Sequence, residues 1–173
     1  MKKAIAVLLI LLAALLCVAP MSGCMKYTHI VISSQRLGDF YCSMYEDNTV
    51  EIIKYLGDDA IVHVPSGING RSVVGITTRA FIDNDTVEEV YLPASISALP
   101  AKLFDNCTKL RAVYVPDDVT SIGKYFVTDC PEFTTVLYAG TEAQWNRISK
   151  GSVLTENYSL ANAEIVYGYV VGD

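Results

Sequence analysis

A period of 23 residues runs through the middle of the chain and limits what it can fold into more than any other feature. Writing Val87 to Lys109 above Leu110 to Glu132 brings the apolar positions into register. Val87 falls over Leu110 and Phe133, Val90 over Val113 and Val136, and Leu92 over Val115 and Tyr138. Pro93 falls over Pro116, Leu99 over Ile122, Phe104 over Val127 and Cys107 over Cys130. One step back, Leu99 lands on Ile76 and Phe104 on Phe81. A fixed period of this length marks a solenoid, in which no unit buries its own apolar face and its neighbours must do so. The one mismatch is an insertion, because Pro65 precedes Pro93 by 28 residues. Ile68-Asn69-Gly70-Arg71-Ser72 holds the extra length as a surface turn, since Asn-Gly is a strong turn signal.

Within each unit, Val90-x-Leu92 and Val113-x-Val115 alternate with exposed positions, which predicts a short strand. Pro93 and Pro116 end those strands, because proline has no N–H to give the ladder. Leu99 to Cys107 and Ile122 to Cys130 carry apolar residues at offsets of four, five and eight. That spacing predicts a helical or 3₁₀ turn returning the chain on the outer side.

These residues resemble the BspA-like class of leucine-rich repeats. The match lies in Leu92-Pro93, Ile96, Leu99, Leu103-Phe104, Cys107 and Leu110, repeated as Val115-Pro116, Val119, Ile122-Gly123, Phe126-Val127, Cys130 and Phe133. The opening unit from Val64-Pro65 to Ala80-Phe81 and the closing segment Tyr138 to Trp145 also fit that class. Asn84 departs from it by replacing the first cysteine, and Phe126-Val127 stands where Ala-Phe is more usual. The expected fold is an α/β solenoid, a short right-handed leucine-rich-repeat stack of parallel β-strands between an N-terminal β-hairpin cap and a C-terminal helix and strand cap. The resemblance implies a surface-exposed binding or adhesion role and brings no catalytic residue.

The domain organisation follows. Residues 1–23 read as a signal peptide of the lipoprotein type, with Lys2 and Lys3 ahead of the apolar run Ala4 to Ala19. Met21-Ser22-Gly23-Cys24 resembles a bacterial lipobox, which implies lipidation of Cys24 and attachment to a membrane through that lipid. Ordinary secretory cleavage and an uncleaved anchor are the alternatives, and all three place the domain outside the cytoplasm, in the cell envelope, at the cell surface or secreted. Residues 24–38 are expected to be a tether, 39–60 the β cap, 61–140 the repeats and 141–173 the C-terminal cap. In that last region Thr141-x-x-Gln144 predicts a capping box opening a short helix. Trp145 there either plugs the last coil or binds a ligand. A final strand is expected from Ala163 to Val171.

Chemistry is sparse. The chain carries a net charge of −6, and Lys2 and Lys3 in the leader are two of its thirteen basic residues. Such an acidic balance argues against nucleic acid as a partner. His29 and His63 are the only histidines, and no ligand spacing predicts a metal or other cofactor. No motif places a base beside Cys42, so no enzyme is expected. Cys107 and Cys130 form either a ladder of packed thiols or a disulfide, since adjacent coils lie about 5 Å apart. Asn84-Asp85-Thr86, Asn106-Cys107-Thr108 and Asn157-Tyr158-Ser159 match the glycosylation pattern by chance in a chain with a bacterial leader.

The strand residues that alternate with buried ones align in columns on the concave face. One column reads His63, Tyr91, Tyr114, Leu137, and its neighbour reads Ile61, Glu89, Ala112, Thr135. His63, Tyr91, Tyr114, Leu137 and Glu89 form the candidate binding strip. Tyrosine supplies contact area and a hydroxyl at low entropic cost; it also favours exposed strand positions without any ligand. The expected function is a cell-surface lipoprotein binding an extracellular protein or glycan. The alternative is a structural or assembly component of the envelope that pairs with another surface protein.

Overall fold

A computed structural model describes residues 30–152 and 155–172. Cys24, the leader and the start of the tether lie outside the described residues.

Two five-stranded sheets and two narrow ladders carry the chain. The first sheet is built from β1 (Val31–Leu37), β2 (Phe40–Tyr45), β3 (Thr49–Tyr55), β5 (Gly67–Ile68) and β6 (Arg71–Ile76), in the order β1-β2-β3-β6-β5. β2 and β3 make the antiparallel hairpin expected around Phe40 and Val50. β1 pairs antiparallel with β2 inside the stretch assigned to the tether. Its sequence, VISSQRL, lacks a clean alternation, and it is exposed along almost its whole length. β6 then runs parallel to β3. The insertion turns at Asn69 and Gly70, whose φ angles are 50° and 76°. That pair of positive φ values suits a tight β5–β6 hairpin.

The second sheet is the stack itself. β4 (Ile61–His63), β7 (Glu89–Tyr91), β10 (Ala112–Val115), β13 (Thr135–Tyr138) and β14 (Glu164–Tyr167) run parallel in the order β14-β13-β10-β7-β4. Val62, Val90, Val113, Val136 and Ile165 stand in one register. Val90, Val113 and Val136 are wholly enclosed, and each contributes about 1.5–3 kcal/mol by leaving water.

The return path is not helical. Where apolar offsets predicted a helical or 3₁₀ turn, the outer side carries two-residue parallel strands. β8 (Ala98–Leu99) pairs with β11 (Ser121–Ile122), and β9 (Phe104–Asp105) pairs with β12 (Val127–Thr128). The reason is a second ladder in the backbone. Arg79, Lys102 and Tyr125 have φ of 63°, 53° and 56°, and Asp83, Asn106 and Asp129 have φ of 57°, 59° and 52°. A left-handed residue twice per coil stops a right-handed helix from propagating. Backbone groups find partners in the next coil instead. Arg79 N–H donates to the Lys102 carbonyl at 3.0 Å, Phe81 to Leu103 at 3.2 Å and Phe104 to Phe126 at 3.0 Å. Among the described residues, helix is confined to α1 (Glu142–Trp145) and α2 (Tyr158–Asn162).

One core joins both sheets. Aromatic rings cross it as a file: Phe40 to Tyr55 at 5.3 Å, Tyr55 to Phe81 at 5.2 Å, Phe81 to Phe104 at 5.2 Å and Phe104 to Phe126 at 5.5 Å. Phe126 thus continues the file although the backbone partner of Phe104 is Val127. At the far end Thr141 and Gln144 form the expected capping box. Trp145 is buried there against Tyr138, ring centroids 5.1 Å apart.

Candidate binding surface

The alternation within each strand of the stack sends every second side chain away from the core, and the parallel register lines these up. His63, Tyr91, Tyr114 and Leu137 are direct neighbours across β4, β7, β10 and β13, and Val166 of β14 extends the row. Ile61, Glu89, Ala112 and Thr135 form the adjacent row, which ends on Glu164.

The rings touch. His63 stacks on Tyr91 with centroids 4.5 Å apart and planes 13° from parallel. Tyr91 stacks on Tyr114 at 5.8 Å. Tyr114 in turn meets Tyr169 at 6.0 Å, tilted by 58°. His63 is exposed, whereas Tyr91, Tyr114, Leu137 and Tyr169 are half-buried. The Tyr91 hydroxyl donates to the Glu89 carboxylate at 2.9 Å, which ties the two rows together. Burial, a hydrogen bond with Tyr169 and the nearby Glu89 carboxylate hold the Tyr91 phenol well above its usual range. Burial, then the charge of Asp117, raises Tyr114 as well. The strip therefore offers a file of stacked rings with tyrosine hydroxyls and a carboxylate beside it.

Tyr169 is the member of the file that the repeat did not reveal. It follows β14, outside the 23-residue register. The signal is Gly168, whose φ of 65° turns the chain back over the sheet. Tyr169 N–H then donates to the Tyr138 carbonyl at 3.0 Å.

The remaining chemistry-bearing groups are enclosed. Cys42, Cys107 and Cys130 are free and buried. Burial pushes the Cys42 thiol up to about 11. The Cys107 thiol donates to the Phe81 carbonyl at 2.9 Å, and Cys107 N–H donates to the Cys130 sulfur at 3.3 Å. Cys107 and Cys130 thus form a ladder of packed thiols. Asn84, one step back, fills the same ladder position with a side-chain carbonyl that accepts from the N–H groups of Thr86 at 3.1 Å and Val87 at 2.7 Å. Among the described residues no group of three or more His, Cys, Asp or Glu side chains gathers as a metal site. No helix among them is long and apolar enough to cross a membrane.

Parallel strands stacked in this register, with their outward side chains aligned in rows, define a repeat solenoid. A family model described as a BspA type leucine-rich repeat region (6 copies) matches residues 66–153. The chain belongs to that family. Two solved structures share the fold. One is a leucine-rich repeat protein of Bacteroides capillosus, 17% identical, with a TM-score of 0.62, covering 78% of this chain and 98% of its own. The other is a leucine-rich repeat protein of T. pallidum, 22% identical, with a TM-score of 0.56. That match covers 79% of this chain but spans only 65% of the length of the T. pallidum protein. No curated protein matches the chain.

Proposed function

We propose that this protein is a non-enzymatic binding module held at the cell surface by a lipid on Cys24, with an extracellular protein or glycan as its ligand. The carrying observation is the stacked file His63, Tyr91, Tyr114 and Tyr169, flanked by Leu137 and Glu89. Rings already packed on one another lose little freedom when a ligand covers them, and their hydroxyls and Glu89 give polar recognition at the edge. Leucine-rich repeats act by presenting such a surface, and family membership supports protein interaction as the general role. In this reading the stack is right-handed, the β2–β3 hairpin closes one end, and α1 with β14 closes the other. A screen against extracellular-matrix proteins and a glycan array tests it. The expected result is a partner whose binding disappears in the Tyr91→Ala, Tyr114→Ala double variant. A partner bound equally by both proteins removes the strip from the account. Release of a Cys24→Ser variant from the membrane fraction checks the anchor.

A second reading, assembly with another envelope protein, is favoured by the outer edge of β1. Ile30, Val31 and Ile32 are each about half exposed beside a strand edge that no other described strand pairs. Mass that rises with concentration in light scattering, and falls after Val31→Lys, is the result that selects this reading.

A further inference from the structure

β1 meets water on both faces and along one edge, and the turn that follows it shows which backbone groups that edge presents. Gly38 and Asp39 alone separate β1 from β2, with Gly38 at φ 62° and Leu37 facing Phe40 across them. A pair that closes a two-residue turn exchanges both of its hydrogen bonds with each other. From there the bonds alternate along the ladder. Leu37, Gln35 and Ser33 therefore bond β2, while the N–H and C=O groups of Arg36 and Ser34 point away from it. The Ile32 carbonyl points away as well, because it shares a planar trans peptide with the Ser33 N–H. No described strand takes these groups.

Free edges are normally blunted by lysine, proline or an inward charge. The sequence of β1, VISSQRL, holds neither lysine nor proline, and Arg36 is its single charge. That guanidinium is already engaged, donating to the Gly38 carbonyl at 2.7 Å and to the Asp39 carboxylate at 3.4 Å. A chain of net charge −6 thus carries a locally neutral edge, where two copies can meet without repulsion. Ser34, at the middle of the strand, is fixed to β2 by its hydroxyl, 2.8 Å from that of Ser43.

We propose that this edge pairs antiparallel with the same edge of a second copy of the chain, about a two-fold axis through Ser34. The inference rests on the assembly reading above and supplies its partner. In this register Ser34 faces Ser34, Ser33 faces Gln35 and Ile32 faces Arg36 of the partner. Each Ser34 N–H meets the other Ser34 carbonyl, and each Arg36 N–H meets the Ile32 carbonyl of the partner. Every outward donor finds an outward acceptor, as a self-complementary two-fold interface requires. The Arg36 stem covers the exposed Ile32 of the partner. Ile30 and Val31 run on beside the partner's Leu37 and Gly38, where glycine leaves room. The two Arg36 residues stand roughly 13 Å apart along the strands, beyond the screening length of about 8 Å at physiological salt. The irregularity between Val31 and Ser33 lies at the margin of the ladder. Pairing joins the two five-stranded sheets into one and leaves the aromatic file free, because the file belongs to the other sheet.

Analytical ultracentrifugation of the full chain in detergent, parent beside Ser34→Pro, tests the proposal. The Ser34 N–H bonds nothing within one copy, so proline there removes a bond between copies and leaves the β1–β2 ladder in place. The parent is expected to show a monomer–dimer equilibrium with Kd on the order of 10 µM. Ser34→Pro is expected to raise that value at least about tenfold with the circular dichroism of the parent. Cysteine crosslinking with diamide as oxidant gives a second readout. Residues facing each other at the axis lie about 5.5 Å apart at Cα, within disulfide range, so Ser34→Cys forms a covalent dimer. Gln35→Cys, about 8 Å from its own copy, does not. A parent that stays monomeric to about 1 mM, a dimer unchanged by Ser34→Pro, or equal crosslinking at both positions overturns the proposal. Where Ser34→Pro loses the parent's circular dichroism, the crosslinking decides. A monomer that still recruits another envelope protein, and loses it in Val31→Lys, overturns the second copy and keeps the assembly reading.

Discussion

Gly123 and Ala101 approach so closely that a β-carbon on Gly123 would stand 2.7 Å from the Ala101 Cα. Here one coil rests on the next by backbone alone, and Gly123 N–H donates to the Leu99 carbonyl at 2.9 Å. The obstacle is backbone rather than a side chain that can swing away, so Gly123→Ala must separate the coils. Overpacking of this kind costs about 1–3 kcal/mol. Urea unfolding is expected to show a midpoint lowered accordingly, and an unchanged midpoint contradicts the stacking described.

The last coil ends on Asn157, which is buried though polar. Earlier in the stack, Phe104 N–H bonds the carbonyl of Phe126 one coil on. Phe126 N–H has Asn157 instead, whose side-chain oxygen accepts from it at 2.9 Å. The Asn157 amino group donates to the Gly123 carbonyl at 3.2 Å and the Lys150 carbonyl at 2.6 Å. One amide therefore does for the final turn what another coil would do. Asn157→Ala strands these groups and is expected to cost about 2 kcal/mol or more, which lowers the thermal midpoint by roughly 4–8 °C. A midpoint within about 1 °C of the parent removes Asn157 from this role.

The tyrosines set an alkaline limit. Tyr91, Tyr114 and Tyr138 are each raised above the usual phenol value of 10.0, with burial as the leading cause. The folded state therefore prefers the protonated form more than the unfolded chain does. That contribution is complete below the unfolded value near pH 10 and is lost as pH rises through the folded values. Tyrosinate absorbance followed against pH is expected to show a late-titrating fraction that appears together with loss of β-sheet circular dichroism. Smooth titration of every tyrosine near pH 10 with the fold intact contradicts it.

Much of this was legible in the sequence, for a definite reason. Val90, Val113 and Val136 recur in step because each fills the same slot in the core, and that slot fixes which side of the strand Tyr91 and Tyr114 occupy. The strip followed from two periods, 23 along the chain and two within the strand. The return path was only half legible, because Asp83, Asn106 and Asp129 are residue types that lean towards the left-handed region, whereas Arg79, Lys102 and Tyr125, which share that conformation, are not. Asn157 hid inside an Asn-x-Ser pattern, since satisfying backbone amides leaves no periodic trace. β1 had no alternation to show, and Tyr169 lies beyond the repeat.

The most direct measurement compares one partner from the binding screen across three proteins: the parent, Tyr91→Ala with Tyr114→Ala, and Tyr125→Ala with Tyr158→Ala. The last pair removes tyrosines that are 42% and 69% exposed but stand outside the file. Loss of two stacked rings at the centre of an interface is expected to weaken binding by at least about 30-fold, or 2 kcal/mol. Parent affinity is expected in the Tyr125, Tyr158 variant. Equal weakening in both variants, or in neither, contradicts the aromatic file as the binding surface.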